Sequence, residues 1–173
     1  MGAGAAARGF DVLLIDGRSG SGKTSLADSV FADLEAAGHR PQVLRVEDLY
    51  PGWDGLAEGS LAVANALDEG AYRRYDWIAG EFAELRTIAP RPPLVIEGCG
   101  AITRENLAAA ARWAGPGGRV RAVWIECPAG ERRARAIARD GEMYAPHWER
   151  WAAQEDAHYA EHEPWDLADG LAG

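Results

Sequence analysis

The sequence predicts an α/β fold of three layers, with a mostly parallel central sheet of about five strands between helices. Three observations predict it. Short apolar runs alternate with segments whose apolar residues recur at helical spacing, the signature of parallel strands joined by right-handed helical crossovers. A glycine-rich stretch, Gly17 to Thr24, sits between the first apolar run and the first helical segment. The chain has 173 residues, 47% of them hydrophobic and seven of them tryptophan, which suffices for one buried core without disulfides or metals. No internal repeat or low-complexity linker divides it, so residues 1–173 are expected to form a single domain with a flexible N-terminal stretch over 1–9.

Phe10 to Ile15 is an apolar run ended by Asp16-Gly17, as in a buried parallel strand. From Lys23 to Ala37, Leu26, Val30, Phe31 and Leu34 recur at helical spacing, and Gly38 supplies the stop. Gln42 to Val46 reads as the second strand, and Asp48 to Ser60, rich in Gly, Pro and aromatics, as a structured loop. Segments from about Ala57 to Leu67 and from Tyr72 to Ile88 read as helices. Pro90 to Pro93 breaks the chain before a third strand, Leu94 to Glu97, closed by Gly98. A helix over Arg104 to Ala114 stops at Gly115-Pro116-Gly117-Gly118, a fourth strand covers Arg119 to Glu126, and helices follow over Pro128 to Arg139 and Pro146 to Ala160. Leu167-Ala168-Asp169-Gly170 is the candidate remnant of a fifth strand.

The formal net charge is -9, which excludes a broad basic surface for nucleic acid or anionic membranes. A polyanionic ligand must therefore be held by a local basic cluster. Cys99 and Cys127 lack the paired spacing of a metal site and read as reduced thiols near strand ends, while His147, His158 and His162 read as solvated. No segment has the character of a signal peptide, and none approaches the roughly 18 apolar residues of a membrane span. A cytoplasmic protein, with a homodimer as its candidate assembly, is the expectation.

Lys23 is the chain's single lysine, beside 17 arginines. It lies in Gly17-Arg18-Ser19-Gly20-Ser21-Gly22-Lys23-Thr24-Ser25, which fits G-x-x-x-x-G-K-[ST]. Glycines let successive amides turn inward and approach an oxyanion, and the start of the following helix adds its dipole. An ammonium on a long stem can follow β- and γ-phosphates where arginine's planar fork fits poorly. Thr24 places a hydroxyl where Mg²⁺ takes oxygen ligands. This is a P-loop, and ATP with Mg²⁺ is the implied cofactor pair. A guanine-reading N/T-K-x-D motif would need a second lysine, and the chain is short for a motor ATPase, so a small kinase fits best.

Four segments in order resemble the uridine kinase and nicotinamide riboside kinase group of P-loop kinases: the loop itself, Val46-Glu47-Asp48-Leu49-Tyr50, Arg74-Tyr75-Asp76-Trp77, and Leu94-Val95-Ile96-Glu97-Gly98. An arginine-rich stretch within about 128–146, holding Arg132, Arg135 and Arg139 on one helical face, is similar to that group's lid. The resemblance implies a base that accepts the substrate hydroxyl's proton, at Glu47 by register or at Asp48 by chemistry and reach. It implies Asp76 as the grip on ribose hydroxyls and Glu97 beside the substrate or Mg²⁺. It implies Arg135 and Arg139 closing over the phosphoryl group in flight. Independently of that likeness, a carboxylate at the C-terminal edge of a parallel strand faces the crevice where open α/β sheets bind ligands. Asp16 is a weaker candidate beside the loop. Tyr50 or Trp53 is placed to stack on a flat acceptor.

The expected activity is thus ATP- and Mg²⁺-dependent phosphorylation of a hydroxyl on a nucleoside-like small molecule. One alternative is a nucleoside monophosphate kinase, with Arg73 and Arg74 on the extra phosphate, or an antibiotic- or cofactor-modifying phosphotransferase. Another is a non-catalytic ATP-binding regulatory module.

Overall fold

The structure is a computed structural model that describes residues 9–172. Residues 1–8 of the expected flexible N-terminus lie outside the described residues.

Strand β1 (Val12–Gly17) is buried at every position because it lies in the middle of the sheet. Helix α1 (Lys23–Ala36) follows the glycine-rich loop, and β2 (Gln42–Arg45) runs directly into a 3₁₀ turn over Val46–Leu49. Helix α2 (Leu56–Glu69), strands β3 (Ala71–Asp76) and β4 (Glu81–Thr87), and strand β5 (Leu94–Glu97) come next. Then α3 (Arg104–Ala114), β6 (Val120–Ile125), α4 (Ala129–Asp140) and α5 (Trp148–His162) lead to a short α6 (Pro164–Leu167) and β7 (Gly170–Ala172). Two 3₁₀ turns, Gly141–Met143 and Ala145–His147, join α4 to α5.

The five-stranded sheet has the order β2-β5-β1-β6-β7, and its pairs are all parallel. Side-chain alternation along β1 divides the core into two layers. Val12 and Leu14 join a large cluster with Leu44, Leu56, Val63, Ile96 and Ala109, whereas Leu13 and Ile15 pack on the other face with Ala27, Val30 and Leu34 of α1. The three-layer α/β arrangement is the one the strand–helix alternation implies. The fifth strand forms a little later than its sequence candidate, with Gly170 to Ala172 paired to Val123 to Ile125.

One element departs from the sequence reading. Tyr72 to Ile88 is an antiparallel hairpin and not a helix. Asp76 Oδ1 accepts hydrogen bonds from the backbone N–H groups of Ile78 and Ala79 at 2.9 Å each, closing the turn locally. Gly80 completes the turn with φ 73°. The aromatic pair Tyr75–Phe82 then joins the two strands, and Trp77 in the turn packs edge-on against Tyr75. That tight Asx turn, not periodicity, decides the hairpin.

Candidate functional site

The glycine-rich loop wraps the N-terminus of α1. Gly22 caps that helix at φ 104°, and a Cβ there would meet no atom within 4 Å, so the amides open onto free space. Gly20 is the opposite case. Its φ is +78°, and a Cβ would stand 2.1 Å from the backbone oxygen of Arg132, because α4 leans directly on the loop. Gly20→Ala is therefore expected to lose about 2 kcal/mol or more from left-handed strain and collision combined, read as a lower denaturant midpoint.

Lys23 is buried, and its Nζ donates to the Arg18 carbonyl at 3.0 Å. Burial pushes the ammonium towards its neutral form, and the Cys99, Glu155, Asp16 and Glu97 groups around it act the other way and raise its pKa above the ordinary value. Thr24 Oγ1 lies 3.4 Å from Glu97 Oε1. The same carboxylate accepts from Arg45 Nη1 at 2.6 Å, a partner at the end of β2 whose role the sequence reading did not assign. Ser25 begins the first full turn of α1 beyond Thr24 and is exposed.

Two buried carboxylates hold the loop from behind. Asp16 accepts from the backbone N–H groups of Gly17, Gly100 and Ile102 and from the Tyr159 hydroxyl. Burial raises its pKa from 3.8 to about 6, against the pull of those hydrogen bonds and of Lys23. Between these values the folded chain keeps a proton that the unfolded chain has lost, so stability falls as pH rises through the window and levels off above it. The contribution is on the order of 2–3 kcal/mol. Melting wild type and Asp16→Asn from pH 4.5 to 7.5 should show wild type losing this increment relative to the variant.

Glu155, absent from the sequence candidates, is 1% exposed and accepts from Ser19 N at 2.7 Å and from Trp151 Nε1 at 3.1 Å. Arg18 and Arg132 approach its other oxygen, and Arg132 also donates to the carbonyls of Cys127 and Ser19. The available signal was an acid on a stripe of Trp148, Trp151, His158 and Tyr159 at helical spacing. His158 belongs to that stripe and is buried, not solvated; burial lowers its pKa to about 4.

In front of the loop lies a cavity of about 430 Å³. Lys23, Thr24, Glu47, Glu97 and Arg139 line it together with the rings of Tyr50, Trp53, Trp77, Tyr144 and Trp151. Of the two acids after β2, Glu47 lines the cavity. Burial, then the Glu97 carboxylate, raise its pKa, and Arg139 partly offsets them. Asp48 turns to the hairpin, where it meets Arg74 Nε at 3.3 Å and the Tyr72 hydroxyl at 3.4 Å. Asp76 lies in the exposed hairpin turn and is not part of the cavity wall; its neighbour Trp77 is.

Arginines at i, i+3 and i+7 of α4 go to three destinations. Arg132 is buried against the loop, Arg139 reaches the cavity while bonded to Asp140, and Arg135 sits beside Glu131 and Cys127. There Arg135 borders a second cavity of about 390 Å³ with Ser21, Gly22 and Leu26, on the far side of the loop. The two cysteines are free and buried; burial pushes the Cys99 thiol up to about 11, which keeps it protonated at neutral pH. Among the described residues no cluster of three or more His, Cys, Asp or Glu has metal-site geometry, and no helix is long and apolar enough to cross a membrane. Thr24 and Glu97 fit a Mg²⁺ held largely by water and phosphate oxygens, which needs only one or two protein ligands.

No family model matches the chain, and no curated protein matches it by sequence. Solved structures do. A protein described as a possible uridine kinase from Bacillus stearothermophilus aligns with a TM-score of 0.63 at 18% identity, over 99% of this chain and 95% of its own. A protein provisionally assigned as a fructose transport system kinase, from Silicibacter sp. TM1040, aligns with a TM-score of 0.63 at 18% identity over the full length of both chains. The Mycobacterium tuberculosis APS kinase CysC, in complex with AMPPNP and APS, aligns with a TM-score of 0.51 at 20% identity over 81% of this chain and 75% of its own. The chain shares the three-layer α/β fold of these solved structures, with its glycine-rich loop following the central strand of the sheet.

Proposed function

We propose that the protein transfers the terminal phosphoryl group of a nucleoside triphosphate, ATP by default, to a hydroxyl on an uncharged small molecule held in the 430 Å³ cavity. The observation that carries this reading is the meeting of Lys23, Thr24 and Glu97 with the Glu47 carboxylate in one cavity lined by aromatic rings.

Lys23 and the loop amides bind the phosphates, and burial among acids keeps Lys23 charged. Glu47 orients the acceptor hydroxyl and takes its proton, a role suited to a carboxylate whose pKa is raised above the ordinary value. Arg139 neutralises charge in the cavity, and Arg135 acts on the nucleotide side of the loop. Thr24 and Glu97 would hold Mg²⁺, which supplies charge neutralisation between the phosphate oxygens. Tyr50 and Trp53, with Trp77, exclude water from the acceptor.

An uncharged acceptor is favoured by the charge inventory. Lys23 and Arg139 face Glu47, Glu97 and Asp140, so no surplus cation awaits an acceptor phosphate. Arg73 and Arg74, the pair that a monophosphate kinase would use, are engaged by the Ala83 carbonyl and by Asp48 and Glu84. Asp76 bonds its own turn, so the acceptor's hydroxyls are gripped from the cavity wall and not by that residue.

The test is release of ADP from Mg-ATP with a panel of nucleosides and neutral sugars. Stimulation by at least one acceptor, with equimolar phosphorylated product, is expected. ADP release that no added alcohol changes, with ATP still bound, favours a nucleotide-binding module instead.

A further inference from the structure

Arg45 is the last residue of β2, and its guanidinium is shared between acids from two other elements. Nη1 donates to Glu97 Oε1 at 2.6 Å, and Nη2 donates to Asp28 Oδ1 at 3.0 Å. Glu97 ends β5, the strand paired with β2, and stands opposite Arg45 in register. Asp28 lies on α1, one turn beyond Thr24 and on the same helical face. Only a fork with two separated N–H arms can hold both acids at once, which explains an arginine at this position.

Distances decide which neighbour holds the Glu97 carboxylate. The Thr24 hydroxyl stands 3.4 and 3.5 Å from its two oxygens, longer than the roughly 2.5–3.0 Å of a hydroxyl hydrogen bond. Arg45 is in short, charge-assisted contact with it. Glu97 is buried, and a buried carboxylate takes the geometry that its partner imposes. We propose that Arg45 is a positioning residue for the metal side of the site. It keeps the Glu97 carboxylate aimed at Thr24, and its charge moderates the attraction of Glu97 and Asp28 for a divalent cation. This deepens the phosphotransfer reading and rests on it for the effect on turnover.

Orientation and charge are separable, because a lysine at this position keeps the charge and loses the fork. Methionine removes both. The Arg45 side chain is 32% exposed, so solvent screens its field and the change in cation affinity is modest. The Asp28 side chain is exposed, so Asp28→Asn releases one arm of the fork and leaves the contact with Glu97 in place.

The test reads Mn²⁺ binding to the nucleotide-free protein, by loss of the free-ion electron paramagnetic resonance signal, beside acceptor-dependent ADP release. Glu97→Gln supplies the baseline for acids elsewhere on the surface. Above that baseline, Arg45→Met should bind Mn²⁺ about 3- to 10-fold more tightly than wild type, while kcat falls about 10-fold and the acceptor KM stays within about twofold. Arg45→Lys should return Mn²⁺ affinity to within about twofold of wild type, yet keep kcat about 3- to 10-fold low. Asp28→Asn should stay within about threefold of wild type in both. Mn²⁺ affinity in Arg45→Met at or below that of wild type reduces the pair to a strap between strands and overturns the assignment. So does wild-type kcat in both Arg45 variants. If Arg45→Met does not fold, Arg45→Lys decides, and an unreduced kcat there overturns the assignment. A wild-type protein that binds Mn²⁺ no better than Glu97→Gln overturns it as well. A wild-type protein that phosphorylates no alcohol overturns the phosphotransfer reading, whereas the Mn²⁺ series still decides the charge role of Arg45.

Discussion

Lys23→Met is expected to lower acceptor-dependent ADP release by about 10²- to 10³-fold, the loss seen when one preorganised charge-stabilising group is removed from an active site. The effect should be large because nothing nearby can substitute. Among the cations lining the cavity, Arg139 is bonded to Asp140. The methionine stem keeps the packing beside the loop, so circular dichroism should be unchanged. It also leaves Asp16, Glu97 and Glu155 without the ammonium that now lies among them. Nucleotide affinity should fall in the same experiment, followed by tryptophan fluorescence with Mg-ATP. Lys23→Arg should fail almost as badly, since a planar fork cannot both bond the Arg18 carbonyl and extend along the phosphates. Full affinity and turnover in Lys23→Met would remove the basis for calling this loop a phosphate site.

Glu47→Gln should lower kcat by about 10²- to 10⁴-fold, the usual worth of a positioned general base, with a smaller change in KM. The amide preserves shape and hydrogen bonding but cannot take a proton. Asp48→Asn is the contrast. Its carboxylate faces Arg74 and the Tyr72 hydroxyl, not the cavity, so the variant should retain kcat within about tenfold and lose no more than about 1 kcal/mol of stability from an ion pair with a half-exposed arginine. The pH profile adds a sign. Because burial and Glu97 raise the Glu47 pKa, the wild-type rate should fall as pH drops through that raised value. Glu47→Gln should lack this acid limb. If Asp48→Asn proves the slow variant, the base has been assigned to the wrong neighbour.

How the two acids divide shows where sequence reading reaches its limit. Glu47 and Asp48 are adjacent, and on an extended strand end they point to opposite sides. Register along β2 decides which one faces inward. The chain tightens into a 3₁₀ turn at Val46, buries Val46 and Leu49, and thereby presents Glu47 to the cavity and Asp48 to β3. No local signal announces that turn. Likewise Arg132, Arg135 and Arg139 share a helical face on paper. The tilt of α4 over the loop sends the first into the interior and the last to the cavity. The resemblance casts Asp76 as a grip on ribose hydroxyls, in a stretch that reads as a helix. Its short side chain bonds the backbone two and three residues on and makes a turn.

What the sequence determined by itself is what local chemistry determines: the loop, since G-x-x-x-x-G-K-T has few uses; the sheet-and-helix alternation, since burial imposes periods of 2 and 3.6; and the placement of Thr24 at the start of α1 and of Glu97 at the end of β5. Tertiary packing alone decided the rest. Glu155 comes from a helix more than a hundred residues away, yet it holds Ser19, and Tyr144 reaches Trp53 from the segment between α4 and α5. Such contacts depend on where whole elements come to rest, and that follows from the summed burial of two core layers rather than from any spacing along the chain.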